Sequence, residues 1–141
     1  MSCTKYNTIY LDGIDKSGKD LIAEYIVLLS KYRYIVNCRG IMSVLAYSEI
    51  FDRDYQYDIS DQSTIVNVLL EVNKDDWLIR CKLSNEKLID FEKHTAAFRN
   101  AYYAIENVSN CMIVNTSLSS PYLIAKEIVN YANRLNGLKE I

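Results

Sequence analysis

Hydrophobic positions along this chain change period several times, and each change marks an element. Thr8-Ile9-Tyr10-Leu11 is a short apolar, β-branched and aromatic run that stops at Asp12-Gly13, a strand ending in a turn. From Lys19 the spacing becomes helical: Leu21, Ile22, Tyr25, Ile26, Leu28 and Leu29 recur at three and four residues, predicting a helix to about Tyr32. Tyr34 to Cys38 reads as a second strand, set off from that helix by about two residues, and Ile41 to Asp52 as a second helix packing through Val44, Leu45 and Ala46. Asp52 to Gln62 is polar, carries Tyr55 and Tyr57, and reads as a surface loop. Thr64 to Val72 is almost continuously apolar, which predicts a strand covered on both faces, as in a parallel sheet. Asn73 or Asp75 can cap a helix carrying Trp77, Leu78 and Cys81, and a longer helix is expected over Lys87 to Ile105. Cys111 to Asn115 is the fourth strand. Ser119 or Ser120 before Pro121 caps the last helix, which runs to about Leu135 and ends at Asn136-Gly137. Strands separated by helices predict an α/β fold of about four parallel strands covered by helices on both faces.

Composition narrows the function classes. A chain of 141 residues, half of them hydrophobic and 24% charged, suits one globular domain spanning 1–141 rather than a disordered tail. Sixteen basic residues against eighteen acidic give a net charge of −2, which excludes a generally basic nucleic-acid-coating surface and leaves room for a local basic pocket. No apolar run is long enough for a membrane span, and the N-terminus shows no signal-peptide pattern. The four cysteines (Cys3, Cys38, Cys81, Cys111) lack CxxC spacing, and His94 is the one histidine. A structural zinc site or disulfide framework is therefore not expected, and reduced thiols in a cytoplasmic protein are. The cysteines read as small buried hydrophobes. Trp77, Tyr102 and Tyr103 read as core or interface aromatics, and His94 as a surface residue on a helix.

The chemistry concentrates at Gly13-Ile14-Asp15-Lys16-Ser17-Gly18-Lys19, which fits G-x-x-x-x-G-K between a predicted strand and a predicted helix. Glycines let the backbone turn so that several N–H groups point at one anion, and the following helix adds the positive end of its dipole. Lys19 is placed to reach the outer phosphates of a nucleoside triphosphate. The next position ordinarily holds a hydroxyl for Mg²⁺; here it is Asp20. A carboxylate about 4 Å from a phosphate charge repels it by about 4 kcal/mol at an effective dielectric constant of 20, and a cation between them reverses the sign. Asp20 is thus either a metal ligand that makes binding strictly metal-dependent, or the mark of a site that no longer holds a triphosphate well.

The segment Leu11 to Lys19, an acidic residue followed by Gly-x-Asp-x-x-Gly-Lys, resembles the opening of thymidylate kinases and their deoxynucleoside kinase relatives. Cys38-Arg39 and the Ser43 to Tyr47 stretch resemble that family's Asp-Arg turn and the helix after it. Val66 to Val72 with Asp75, Leu78 and Arg80 resembles its fourth strand and the helix leading to its lid, which Asn85-Glu86 would end. Cys111 to Asn115 and the Ser-Ser-Pro helix resemble its last strand and helix. The resemblance implies a shortened, divergent, phage-type member with a three-layer P-loop fold, binding ATP and Mg²⁺. Lys19 and the N–H groups of Asp15, Lys16, Ser17, Gly18 and Lys19 would bind the donor phosphates. Asp20 would hold the metal and Asp15 would face the acceptor sugar. Asp12 would be either general base or an acceptor of hydrogen bonds from the loop. Arg39 would hold an acceptor phosphate or the transferring group, with Tyr47 on the substrate side, while Arg80 and Lys82 would be lid residues or solvated helix charges.

Three positions depart from the pattern: Asp20, Cys38 in place of an aspartate, and Ser84 in place of a lid arginine. The family's second strand and its arginine-bearing turn are also expected to be absent. The expected function is transfer of the ATP γ-phosphate to a deoxynucleoside, a deoxynucleotide or a modified thymine-type nucleotide, with a nucleotide inside nucleic acid as a larger acceptor that the net charge disfavours. The alternative is a decayed kinase scaffold serving as a nucleotide-binding or protein-interaction module. A homodimer face of Tyr- and Leu-rich helices is expected with either. A GTPase-like switch is disfavoured because the chain has no guanine-reading Asn-Lys-x-Asp.

Overall fold

The computed structural model describes residues 4–54, 62–85 and 87–141. Its elements run β1 (Thr8–Asp12), α1 (Lys19–Leu29), β2 (Ile35–Cys38), α2 (Ile41–Ile50), β3 (Ile65–Glu71), α3 (Lys74–Ser84), α4 (Phe91–Ile105), β4 (Asn110–Asn115) and α5 (Pro121–Leu135). The four strands form one sheet in the order β2-β1-β3-β4, and every pairing is parallel. Helix α1 carries the chain from β1 outward to β2. Helix α2 then crosses back over β1 to β3, and the sheet grows the other way to β4. The order therefore reverses between β1 and β3, the place where open α/β sheets bind ligands beyond the carboxyl ends of their strands.

The run at β3 is continuous because both of its faces are buried. Val66, Val68 and Leu70 pack with Ile9, Leu11 and Val114 under α1 and α5, while Leu69 faces Met42, Trp77, Phe98 and Ile105 from α2, α3 and α4. Asn67 interrupts the run and is fully buried; its Nδ2 donates to Gln62 Oε1 at 2.9 Å and to Ser109 Oγ at 3.0 Å. The expected α/β architecture with helices on both faces is the one observed.

Several boundaries differ from expectation, each for a local reason. Helix α1 stops at Leu29 because Lys31 and Tyr32 take left-handed φ values of 53° and 64°, so residues 30–34, rather than about two residues, lead into β2. Asp52, at φ 50°, likewise lies beyond the end of α2. Helix α4 begins at Phe91, not Lys87, because the Asp90 side chain accepts from the Lys93 N–H and caps it. Ser120, not Ser119, caps α5, with Pro121 in the first turn. Gln62, read as the end of a surface loop, is buried; Tyr55, Tyr57 and the expected lid residue Glu86 lie outside the described residues. Among the described residues β2 is an edge strand lying directly beside β1, and no helix is long and apolar enough to cross a membrane.

Candidate functional site

The loop between β1 and α1 folds around its own lysine. Gly13 has no room for a side chain: a Cβ there would stand 2.4 Å from the Leu70 carbonyl and 2.8 Å from Ser17 Oγ. Gly18, at φ 99°, is the left-handed residue that opens α1. Between them Lys19 Nζ donates to the carbonyls of Gly13 at 2.7 Å and Ile14 at 3.1 Å and to Ser17 Oγ at 3.3 Å. Burial holds the Lys19 ammonium below its ordinary pKa, opposed chiefly by the Asp15 carboxylate. A cavity of about 430 Å³ above the loop is lined by residues 15–21 together with Cys38 and Arg39. The structure thus brings Asp15, Lys16, Ser17, Gly18, Lys19, Asp20 and Arg39 together around one cavity.

Asp20 lies in the first turn of α1 at the cavity wall, where Cys38 also lines the cavity; burial, and then the Asp20 charge, push the Cys38 thiol pKa up. Magnesium takes oxygen ligands and is commonly held by one or two carboxylates together with substrate phosphates. Asp20 fits that description, whereas the thiol is a soft donor that magnesium does not favour. Among the described residues no three of His, Cys, Asp and Glu form a metal-binding group.

Asp12 is fully buried beneath the loop and lines neither neighbouring cavity. Its hydrogen bonds come from the start of α2 and not from the phosphate loop. Oδ1 accepts the Gly40 N–H at 2.7 Å, the Ser43 N–H at 3.1 Å and the Ser43 hydroxyl. Oδ2 has no hydrogen-bond partner. Burial raises the Asp12 pKa, with the Ser43 and Gly40 bonds and Lys19 opposing it. A carboxylate at a helix N-terminus is favourably placed, so Asp12 fixes where α2 begins.

That placement builds a second cavity of about 390 Å³, lined by Arg39, Gly40, Ser43, Val44, Tyr47 and Phe51. Tyr47 stacks on Phe51 with ring centres 5.9 Å apart and planes 17° from parallel, and meets Phe98 edge-on at 5.7 Å. His94, expected at the surface of a helix, is on α4 and half-buried 6.5 Å from the Tyr47 ring, and burial lowers its pKa. Arg39 lines both cavities and takes a left-handed φ of 84°. Strained non-glycine backbone of this kind is characteristic of functional sites.

On the other side of the loop, Arg80 Nη1 donates to the Lys16 carbonyl at 2.8 Å and to Thr116 Oγ1 at 3.2 Å. Arg80 is therefore a half-buried anchor rather than a solvated charge. Lys82, its expected companion, is exposed and lines a separate cavity with Leu78, Asn85 and Leu88. A third cavity of about 390 Å³ beside the loop draws on Arg80, Thr116, Ser119 and Pro121. Thr116, Ser119 and Pro121 were not singled out as site residues from sequence. Their signal was position: they follow the carboxyl end of a parallel strand, where such sheets bind ligands.

The fold and loop define a P-loop kinase-like α/β protein. No protein-family model and no curated protein matches the sequence. Among solved structures, the chain is similar to the YorR protein of Bacillus subtilis in complex with phosphorylated GDP, at TM-score 0.77 and 16% identity over 94% of this chain and 99% of that one. It is also similar to deoxyadenosine kinase from M. mycoides with bound dCTP, at TM-score 0.63 and 12% identity over 88% of this chain and 99% of that one. At these identities the likeness is one of fold.

Proposed function

We propose that this chain is a phosphotransferase that moves the γ-phosphate of ATP to a deoxynucleoside, a thymidylate-like deoxynucleotide or a nucleotide with a modified thymine-type base. The observation that carries this reading is that two cavities meet at one cation: the phosphate-loop cavity and the aromatic-lined cavity share Arg39. The two neighbours hold nucleotides with different bases and have phosphates in common, which supports the loop as a reader of phosphate.

In this reading Lys19 exchanges its loop carbonyls for the outer phosphates of the donor, and the donor base lies by Thr116, Ser119 and Pro121. Tyr47 and Phe51 stack the acceptor base, and Asp15 stands by its sugar. Arg39, between the two, neutralises charge on the group in transit; positioning and charge neutralisation are most of what a phosphoryl-transfer enzyme contributes. Asp12 holds α2 and thereby the acceptor cavity, in preference to acting as base, since it lines neither cavity. Asp20 would hold Mg²⁺, which when bound supplies further neutralisation of the phosphates. A homodimer through exposed apolar side chains such as Leu28, Tyr103 and Leu123 belongs to the same proposal, and a monomer by light scattering would remove it.

The second reading, a nucleotide-binding module without turnover, is favoured by Cys38 and Asp20 together lining the phosphate-loop cavity, a soft thiol beside the carboxylate proposed to hold the metal. The deciding experiment is calorimetric ATP binding with and without Mg²⁺, paired with labelled γ-phosphate transfer to thymidine, thymidylate and 5-hydroxymethyl-deoxyuridylate. Transfer that Lys19→Ala abolishes supports the kinase. Binding without transfer to any acceptor supports the module, and tighter ATP binding in Asp20→Thr than in wild type identifies Asp20 as the lesion.

A further inference from the structure

We propose that Trp77 and Arg80, one turn apart on α3, are positioning residues that set the phosphate loop for its anion. The inference rests on the reading of that loop as a donor-phosphate site. The peptide group is planar, with its C=O and N–H on opposite sides. A donor that captures a loop carbonyl from outside therefore fixes where the same peptide's N–H points.

Trp77 Nε1 donates to the Asp15 carbonyl at 3.1 Å, and Arg80 Nη1 donates to the Lys16 carbonyl at 2.8 Å. These two carbonyls belong to consecutive peptides at the loop tip, whose N–H groups are those of Lys16 and Ser17; the Ser17 N–H donates to the Ile14 carbonyl at 3.2 Å and, like Lys19, leaves its loop carbonyl when it meets an anion. The residue between them, Lys16, is held at φ 67°, a left-handed conformation that a lysine keeps only where its surroundings impose it.

Both donors are themselves anchored. Trp77 is buried in the core and packs against Phe91 with ring centres 5.1 Å apart. Arg80 also donates to Thr116 Oγ1, whose hydroxyl donates to the Glu71 carbonyl at the end of β3. The loop tip is thereby tied to the core through one donor and to the carboxyl edge of the sheet through the other. Anything that shifts α3 shifts both peptides, and by linkage an anion seated in the loop favours the docked α3.

Trp77 is the chain's single tryptophan, so its emission reports on this contact directly. The test titrates wild type, Trp77→Phe and Arg80→Lys with pyrophosphate, ATP and thymidine by calorimetry, and wild type by fluorescence; thermal melts establish that each variant is folded. Pyrophosphate is expected to shift the Trp77 emission. Each variant is expected to lose about tenfold in affinity for pyrophosphate and ATP, the loss of one hydrogen bond, with the loss confined to phosphate ligands. Folded variants that bind pyrophosphate within about twofold of wild type overturn the inference, as does an equal loss for thymidine, which marks a general structural role. Should Trp77→Phe fail to fold, Arg80→Lys decides alone. Wild type that binds neither ATP nor pyrophosphate overturns the donor-site reading itself, and this inference with it; wild-type binding that Lys19→Ala abolishes but these variants spare overturns only the inference.

Discussion

The face of the sheet covered by α1 and α5 and the face covered by α2, α3 and α4 differ in what they bury. The first is filled by aliphatic side chains, among them Ile9, Leu11, Val66, Val68, Ile124 and Ile128, with Tyr34 at its border. The polar groups at that border are paired, with the Tyr34 hydroxyl donating to Asn133 at 2.6 Å. The second mixes Met42, Trp77, Cys81 and Phe98 with the buried Asp12–Ser43 pair, and it leaves Asp12 Oδ2 and Asn67 Oδ1 without partners. Unpartnered buried polar atoms reduce stability, and on this face they lie among the groups that shape the aromatic-lined cavity or tie down the strands beside it. One face stabilises the domain; the other gives up stability to place chemistry.

That division can be broken by experiment. The largest effect is expected from Ile128→Ala, which opens a hole on the aliphatic face where Ile128 is wholly buried. Stability should fall by about 2–5 kcal/mol in urea unfolding, while the ATP affinity of the folded variant stays at the wild-type value. An affinity that fell in proportion would show that the faces are not separate. Phe51→Ala should do the reverse. Phe51 is 53% exposed and stacks on Tyr47 at the aromatic-lined cavity, so the melting point should barely move while affinity for the proposed nucleoside acceptor drops about tenfold, the worth of one stacked ring.

The smallest effect is a pH dependence. Burial raises the Asp12 pKa above its ordinary 3.8, so between 3.8 and the raised value the folded state binds more protons than the unfolded state. Stability from this group is therefore present below that window and lost as pH rises through it. Asp12→Asn keeps an oxygen for Gly40 and Ser43 and removes the titration. The stability difference between variant and wild type should move in favour of the variant as pH rises through the window in urea titrations. A difference that stayed constant would mean that Asp12 is not desolvated.

The phosphate-loop half of the site was legible in the sequence because it is local. The signature of Gly13 to Lys19, two glycines and a lysine between a strand and a helix, lies within seven consecutive residues. The aromatic-lined half was legible only in part. Arg39 and Tyr47 could be placed by register, and Ser43 and Phe51 stand four residues either side of Tyr47 along α2 and its C-cap, but the approach of Phe98 and His94 to Tyr47 depends on α2 meeting α4, two helices far apart in sequence. Arg80 illustrates the limit: on an isolated helix it is one more solvated cation, and the crossing of α3 past the loop turns it into an anchor.

What the sequence by itself determined is everything that period and spacing encode: four strands, the helices between them, the parallel sheet, and a loop whose glycines and lysine suit an anion. Each of these rests on neighbours along the chain, where steric limits and dipoles act within a few residues. Tertiary structure alone decided that Asp12 faces α2 instead of the loop, that His94 is half-buried, that Lys82 points away, and that Trp77 and Arg80 hold the loop tip. These are contacts between residues up to 64 positions apart, set by how two faces of one sheet pack.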